Sequence, residues 1–186
     1  MDRVPRPAGE YYEIRHELLS QGDIFRDVPL AFPLPADRIY DDPDQSTAKR
    51  RFLSGPLEYG MAILLSPTCS MRAQGSSGYA YPSRTLAPLM PLALLIEQRY
   101  VPEQNADLAR RFDSLKNYMY IPASASLDIL ESLALLYMPI TLHHDIVVDQ
   151  RITQLTFAAS QQLQSKLTLF FSDLQVDVSN FDPAMD

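Results

Sequence analysis

From Gly60 to Leu65 the chain is uninterruptedly apolar, and it then turns abruptly polar at Ser66-Pro67-Thr68-Cys69-Ser70. An apolar run of this length bounded by turn residues predicts a buried strand, Met61–Ser66, whose end presents a loop, and loops behind rigid strands are where binding groups collect. Ahead of it, Gln21-Gly22-Asp23 predicts a turn leading into a first strand through Ile24, Phe25, Val28 and Leu30. Pro29, Pro33 and Pro35 restrict that strand to an edge or an interrupted form. Tyr11–Leu19, with Tyr12, Leu18 and Leu19 apolar, is read either as a short helix or as an extended lead-in. Asp37–Arg51, rich in Asp and ending in Lys49-Arg50-Arg51, has loop composition and links the first two strands. Gln74–Gly78 is small and polar, which predicts a mobile loop at 70–79.

In the second half, Leu86–Ile96 is dense in leucine. Pro88 predicts an interruption of a strand there, and Pro91 permits a helix to start just after it. Leu108, Phe112 and Leu115 recur at helical spacing within 103–116, predicting a short amphipathic helical insertion. Tyr118–Ile121 predicts a strand. Ser126–Pro139 fits helix or strand equally, and Leu135–Leu142 with Asp145–Val148 predicts paired strands around His143-His144. The plainest helix follows Thr156, with Ala159, Leu163, Leu167, Phe170 and Leu174 on one face and Gln161, Gln162, Gln164 and Lys166 on the other. The Thr156 hydroxyl is its expected N-cap. Residues 1–10 read as a flexible arm, 11–174 as one domain and 175–186 as an acidic peripheral tail.

Composition narrows the function classes. A chain of 186 residues that is 46% hydrophobic supplies the core of one ordinary domain. Sixteen basic against 23 acidic residues give a net charge of −7, which argues against broad electrostatic capture of nucleic acid. The single cysteine forms no internal disulfide, so a reducing cytoplasm is the expected compartment, and no Cys/His spacing resembles a metal site. No cofactor is expected. No leader and no membrane span is read from the sequence.

Three landmarks occur in order: Gly22-Asp23-Ile24, the apolar strand ending at Ser66, and Asp149-Gln150-Arg151-Ile152-Thr153-Gln154-Leu155-Thr156 before a helix. In this order the chain resembles the PemK/MazF-like toxin family. The resemblance implies an α+β fold: a small, partly open SH3-like β-barrel, here with a helical insertion and a C-terminal amphipathic helix. It also implies relation to toxin–antitoxin systems and a homodimer. A second resemblance, carried by Gly22-Asp23-Ile24-Phe25 and Ser66-Pro67-Thr68-Cys69-Ser70, is to uncharacterised bacterial proteins with a Gly-Asp-Ile-Phe start and a Ser-x-Thr-Cys-Asp turn.

In the family, an arginine before the second apolar strand stabilises charge on the scissile phosphate and a hydroxyl at the strand's end positions it. Here Glu58-Tyr59-Gly60 stands in that place, and an anion beside a phosphodiester repels the developing charge. The expected function is therefore a cytoplasmic bacterial binding or adaptor protein with a protein partner, acting through its 66–79 loop, with Ser66, Pro67, Thr68, Cys69, Ser70, Met71 and Arg72 as the binding segment. The alternative is a metal-independent endoribonuclease acting on RNA, drawing an arginine from Arg26, Arg72 or Arg84 and using Ser66 or Thr68 to position the phosphate.

Each candidate has a bland counterpart. Ser66 and Thr68 are also ordinary turn hydroxyls, and turn chemistry is the preferred reading. Asp23 after a glycine caps a turn more readily than it serves as a general base. Cys69 is a nucleophile only if His143 or His144 reaches it, and otherwise a small apolar group closing the barrel end. His143-His144-Asp145 reads as a surface hairpin, because adjacent strand residues point to opposite faces. Lys49-Arg50-Arg51, with Arg72 and Arg84, reads as a solvated loop surface.

Overall fold

The structure, a computed structural model, describes residues 11–13, 19–30, 39–41, 51–53, 58–68, 82–110 and 117–172. The arm at 1–10 and the tail at 175–186 lie outside these. Strands β1 (Tyr12–Glu13), β2 (Asp23–Leu30), β5 (Glu58–Leu64), β6 (Ser83–Pro91), β7 (Tyr118–Ile121), β8 (Ser132–Leu135), β9 (Ile140–His143) and β10 (Arg151–Leu155) form one antiparallel sheet. Its order is β1-β10-β2-β5-β6-β8-β7, with β9 paired to β6 beside β8. The sheet curls into a half-barrel. Strands β3 (Ile39–Asp41) and β4 (Arg51–Leu53) form a separate antiparallel pair. The ends of the segment expected to be a plain loop are thus strand.

The predicted central strand is uniformly apolar because both of its faces are buried. Ile63, Leu65 and Met61 pack with Ile24, Met119, Ile121, Leu155 and the C-terminal helix, α4 (Phe157–Ser172). Ala62 and Leu64 pack on the opposite face with Phe25, Val28, Leu30, Leu86 and Val147. Phe25 and Val28, three apart, share that face because β2 carries one extra residue: Phe25 opposes Ala62 while Val28 opposes Gly60. Asp27, within the bulge, has φ 52°, the left-handed conformation that bulges use to reset strand register. Beyond the bulge β2 pairs only with β5, so Pro29 is tolerated on an open edge.

Pro88 does not interrupt its strand. It falls between Leu86, the last partner of β9, and Leu89, the first partner of β8. The edge toward which its missing N–H points has no ladder partner there, so nothing is lost. Helix α1 (Leu92–Glu97) begins directly after Pro91, as the sequence predicts, and buries Leu92 and Leu95 against Leu133 and Leu135. The predicted insertion helix is a 3₁₀ turn, Glu103–Asn105, followed by α2 (Ala106–Arg110); Phe112 and Leu115 lie outside the described residues.

Helix α4 is capped as expected: Ala159 N–H donates to Thr156 Oγ1 at 3.5 Å. Ala159, Leu163 and Leu167 are buried, but so is Lys166, which the helical wheel had turned outward. Its aliphatic stem suits an apolar flank. The expected strand at Asp145–Val148 is instead α3 (His144–Val147). His143 is its N-cap, with Nδ1 accepting the Asp145 N–H at 3.3 Å, so a local cap defeats the strand pattern.

The two ends of the main sheet path meet through side chains. Tyr11 Oη donates to Tyr120 O at 2.9 Å and Tyr12 Oη donates to Pro122 O. Tyr120 and Pro122 are alternate residues, so their carbonyls address one strand edge. Two buried phenols therefore stand where the N–H groups of a further strand would be. No helix among the described residues is long and apolar enough to cross a membrane.

Candidate functional site

The loop that starts at Ser66 leaves β5 beside β6. Leu65 N–H and Ser66 N–H both donate to Thr85 O, at 2.8 and 3.3 Å, and Thr85 N–H returns a bond to Ser66 Oγ at 2.8 Å. Thr68 Oγ1 accepts the Gln21 N–H at 3.1 Å, while Gln21 Nε2 donates to Leu65 O at 2.6 Å. Both hydroxyls thus satisfy backbone donors, but from other segments, 19 and 47 residues away, rather than within their own turn. Pro67 between them is exposed. Cys69, Ser70, Met71 and Arg72 lie outside the described residues.

Of the candidate arginines, the two among the described residues, Arg26 and Arg84, do not converge. Arg26 Nη2 donates to Leu127 O at 2.9 Å and lies 3.6 Å from the Asp128 carboxylate, on the face where Leu127 packs with Ile24 and Ile63. Arg84 pairs across the strands with Leu142 and shares the face of Leu86 and Leu142, the opposite one. It is fully buried, with Nη1 donating to Ser83 O at 3.0 Å. A guanidinium sealed from solvent is part of the interior rather than a group poised toward a substrate.

Asp23 is fully buried as well. Its Oδ2 accepts both Arg151 Nη1 and Ser20 N–H at 2.9 Å. The turn-capping role is realised, and a cross-strand ion pair is added to it. Arg151, in the third sequence landmark, is the partner that sequence reasoning missed. The only signal was its register, because Arg151 opposes Phe25 across a ladder visible only in the folded sheet.

The adjacent histidines separate. His143 is exposed and lies 3.4 Å from the Asp145 carboxylate, whereas His144 is only 5% exposed. Burial, and then the neighbouring Arg84 charge, hold the His144 imidazole below the ordinary histidine range. One side chain points out and the other in, so they do not form one site, as the sequence argument expected, but on a helical turn rather than a hairpin. Among the described residues no group of three or more His, Cys, Asp or Glu is placed to hold a metal ion.

A second polar cluster was not anticipated. Glu131 accepts Arg110 Nε at 2.8 Å, Arg110 Nη2 at 3.2 Å and Tyr120 Oη at 2.7 Å, while Arg110 Nη1 donates to Asp107 at 2.9 Å. The Arg110 bonds hold the Glu131 carboxyl below its usual range. Nearby, Tyr118 and Tyr137 pack edge to face with ring centroids 5.4 Å apart. Burial, followed by the Tyr118 hydrogen bond, pushes Tyr137 up to about 12.

The polar groups of the described residues thus tie elements together: the loop's hydroxyls to β6 and Gln21, Asp23 to β10, and Arg110 to Glu131 just before β8. No family model matches this chain, and no curated protein matches it.

Proposed function

We propose that the protein is a binding or adaptor module on a partly open SH3-like barrel related to the PemK/MazF-like toxins. It works in the bacterial cytoplasm and engages a protein partner through the 66–79 loop, without chemistry of its own. The observation that carries this reading is the engagement of both loop hydroxyls by backbone donors while Arg26 and Arg84 occupy opposite faces. Transition-state stabilisation requires donors preorganised around one developing charge, and neither arginine accompanies a hydroxyl in that way. The loop's anchored start, with Pro67 projecting from a rigid strand end, suits presentation to a partner.

The test has two arms. A photo-crosslinking residue at Pro67, in the full chain expressed in a bacterial host, should give a discrete protein adduct that is absent when the residue is placed at exposed Glu97. Purified protein, incubated with long single-stranded RNA in EDTA, should leave it intact. Discrete RNA fragments that disappear in Arg72→Ala would overturn the proposal in favour of the endoribonuclease. Arg84→Ala is unsuitable for this purpose, because a fully buried arginine reports on folding first.

A further inference from the structure

The outward face of α4 carries no charge, although the chain as a whole has a net charge of −7. Among the 16 residues of the helix only Lys166 is charged, and it is buried. The exposed face is a stripe: Phe157, Gln161, Gln164, Thr168 and Phe171 follow one another at alternating intervals of four and three, and all five are exposed. This is the spacing with which one helix presents a continuous edge to another. Phe157 and Phe171 are 74% and 57% exposed, and the Phe171 ring is held edge to face on Phe170 with centroids 5.3 Å apart. The hydroxyl donors along the stripe are already satisfied, because Thr168 Oγ1 donates to Gln164 O and Ser165 Oγ donates to Gln161 O, each at 2.9 Å. Covering the stripe therefore strands no O–H. Absence of charge with aromatic anchors is the composition of an interface core.

We propose that α4 pairs with α4 of a second copy of this chain, antiparallel about a two-fold axis near Gln164, to form a weak and reversible homodimer. Symmetry favours a second copy as the occupant. Phe157 and Phe171 stand equally far from Gln164, about 10.5 Å along the helix on either side. Reversing the helix exchanges one phenylalanine for the other, so each Phe157 meets the second copy's Phe171. A two-fold contact requires such a self-complementary patch.

Charge favours the same occupant and sets its direction. Two chains of net charge −7 repel, and they do so least across a face without charge. Beyond Ser172 the sequence continues to Asp173, Asp177, Asp182 and Asp186. A parallel pair would start both acidic segments side by side. An antiparallel pair starts each at the N-terminal end of the other helix, where the dipole is positive and the first turn has no acidic residue of its own. The area sets the strength. A helix of 16 residues is about 24 Å long and about 10 Å wide, a strip well below the roughly 800 Å² that each partner gives to a standard interface. The dimer is thus of the transient kind, and it does not depend on the reading of the 66–79 loop.

The experiment is sedimentation equilibrium on the full chain, from micromolar to millimolar concentration. The mass of the wild-type protein should rise with concentration from that of one chain toward that of two. Gln164→Lys sets like charges against each other at the axis and should weaken association at least about tenfold. Phe157→Ser combined with Phe171→Ser should do the same by removing the anchors. Gln98→Lys makes the same charge change at an exposed position on α1 and should leave association as it is. Orientation is read by disulfide formation in a Cys69→Ser background, where Gln161→Cys mixed with Thr168→Cys should crosslink faster than either variant alone. The wild-type measurement decides the matter even if a variant fails to fold: a chain that stays monomeric up to millimolar concentration overturns the dimer and leaves the stripe to residues 173–186 or to another protein. Association that survives both Gln164→Lys and the double serine variant overturns α4 as the interface. Faster crosslinking within each single variant overturns the antiparallel arrangement.

Discussion

The two buried faces of the sheet hold opposite kinds of chemistry. At the seam, where β1 approaches β7, Tyr11 and Tyr12 are buried among Met119, Ile121 and Leu163, and reach the backbone with neutral hydroxyls. Burial raises the ionisation of both phenols well above the ordinary tyrosine value. On the opposite face, around the base of the loop, the interior holds charge: the Asp23–Arg151 pair and Arg84, with the buried His144 beside them. A phenol brings a large apolar ring with one polar tip, so its burial is favourable once the tip is bonded. A buried charge is favourable only while its partner remains, and removing one member strands the other. The seam is therefore robust to loss of one group, and the charged face is not.

The difference can be broken most forcefully at the ion pair. Arg151→Met should cost roughly 3–5 kcal/mol by leaving the Asp23 carboxylate buried without its guanidinium. Urea denaturation measures this, and Asp23→Leu combined with Arg151→Met should recover a large part of it, because the stranded charge has gone.

At the seam, Tyr11→Phe or Tyr12→Phe keeps the ring and removes only the donor, so each should cost about 1–3 kcal/mol by the same measurement. The seam should also respond to alkaline pH. A group whose folded value is raised supports the fold below its unfolded value and loses that support as pH rises. Tyr11 and Tyr12 therefore begin to lose that contribution above about pH 10 and lose it fully only as pH rises through their raised folded values. A circular-dichroism titration in which the double phenylalanine variant is the more alkali-resistant relative to its neutral-pH stability would sharpen the contrast.

The turn between the regions should show a smaller effect. Gly22 has φ +93°, and an added Cβ would stand 3.2 Å from both Leu155 Cδ1 and Ser160 Oγ. Gly22→Ala should cost about 1–2 kcal/mol from backbone strain alone. It tests whether the junction of β2, β10 and α4 is rigid, and a thermal melt reads it. Smallest of all is Arg110→Ala at the surface. Its bidentate bond to Glu131 is solvent-screened, so the loss should stay below about 1 kcal/mol. The acid side of the stability curve should nevertheless flatten slightly, because a Glu131 held below its usual range supports the fold only above its unfolded value.

Part of this architecture is legible from single positions. The central strand follows from the apolar run at 60–65, α1 from Pro91, and α4 from the spacing of Ala159, Leu163 and Leu167 under the Thr156 cap. These depend on local periodicity and backbone chemistry, which a sequence carries directly. Pro88, Asp145–Val148 and the His143-His144 pair misled for the opposite reason. Whether a proline breaks a strand depends on which edge lacks a partner, and whether a short apolar run extends depends on a cap made by a side chain.

The candidate site divides along the same line. Asp23 as a turn cap was visible because its partner, Ser20 N–H, is local, whereas Ser66 and Thr68 bond backbone donors 19 and 47 residues away. The Asp23–Arg151 pair spans 128 residues and Tyr11 to Tyr120 spans 109. The sequence by itself determined the periodic elements, the apolar centre and the abrupt polar end of β5, because each is a property of neighbouring residues. Only the tertiary structure decided that Arg26 and Arg84 part to opposite faces, that His144 turns inward beside a buried guanidinium, and that two tyrosines close the sheet. Those outcomes depend on register and curl, which put residues distant in sequence into contact.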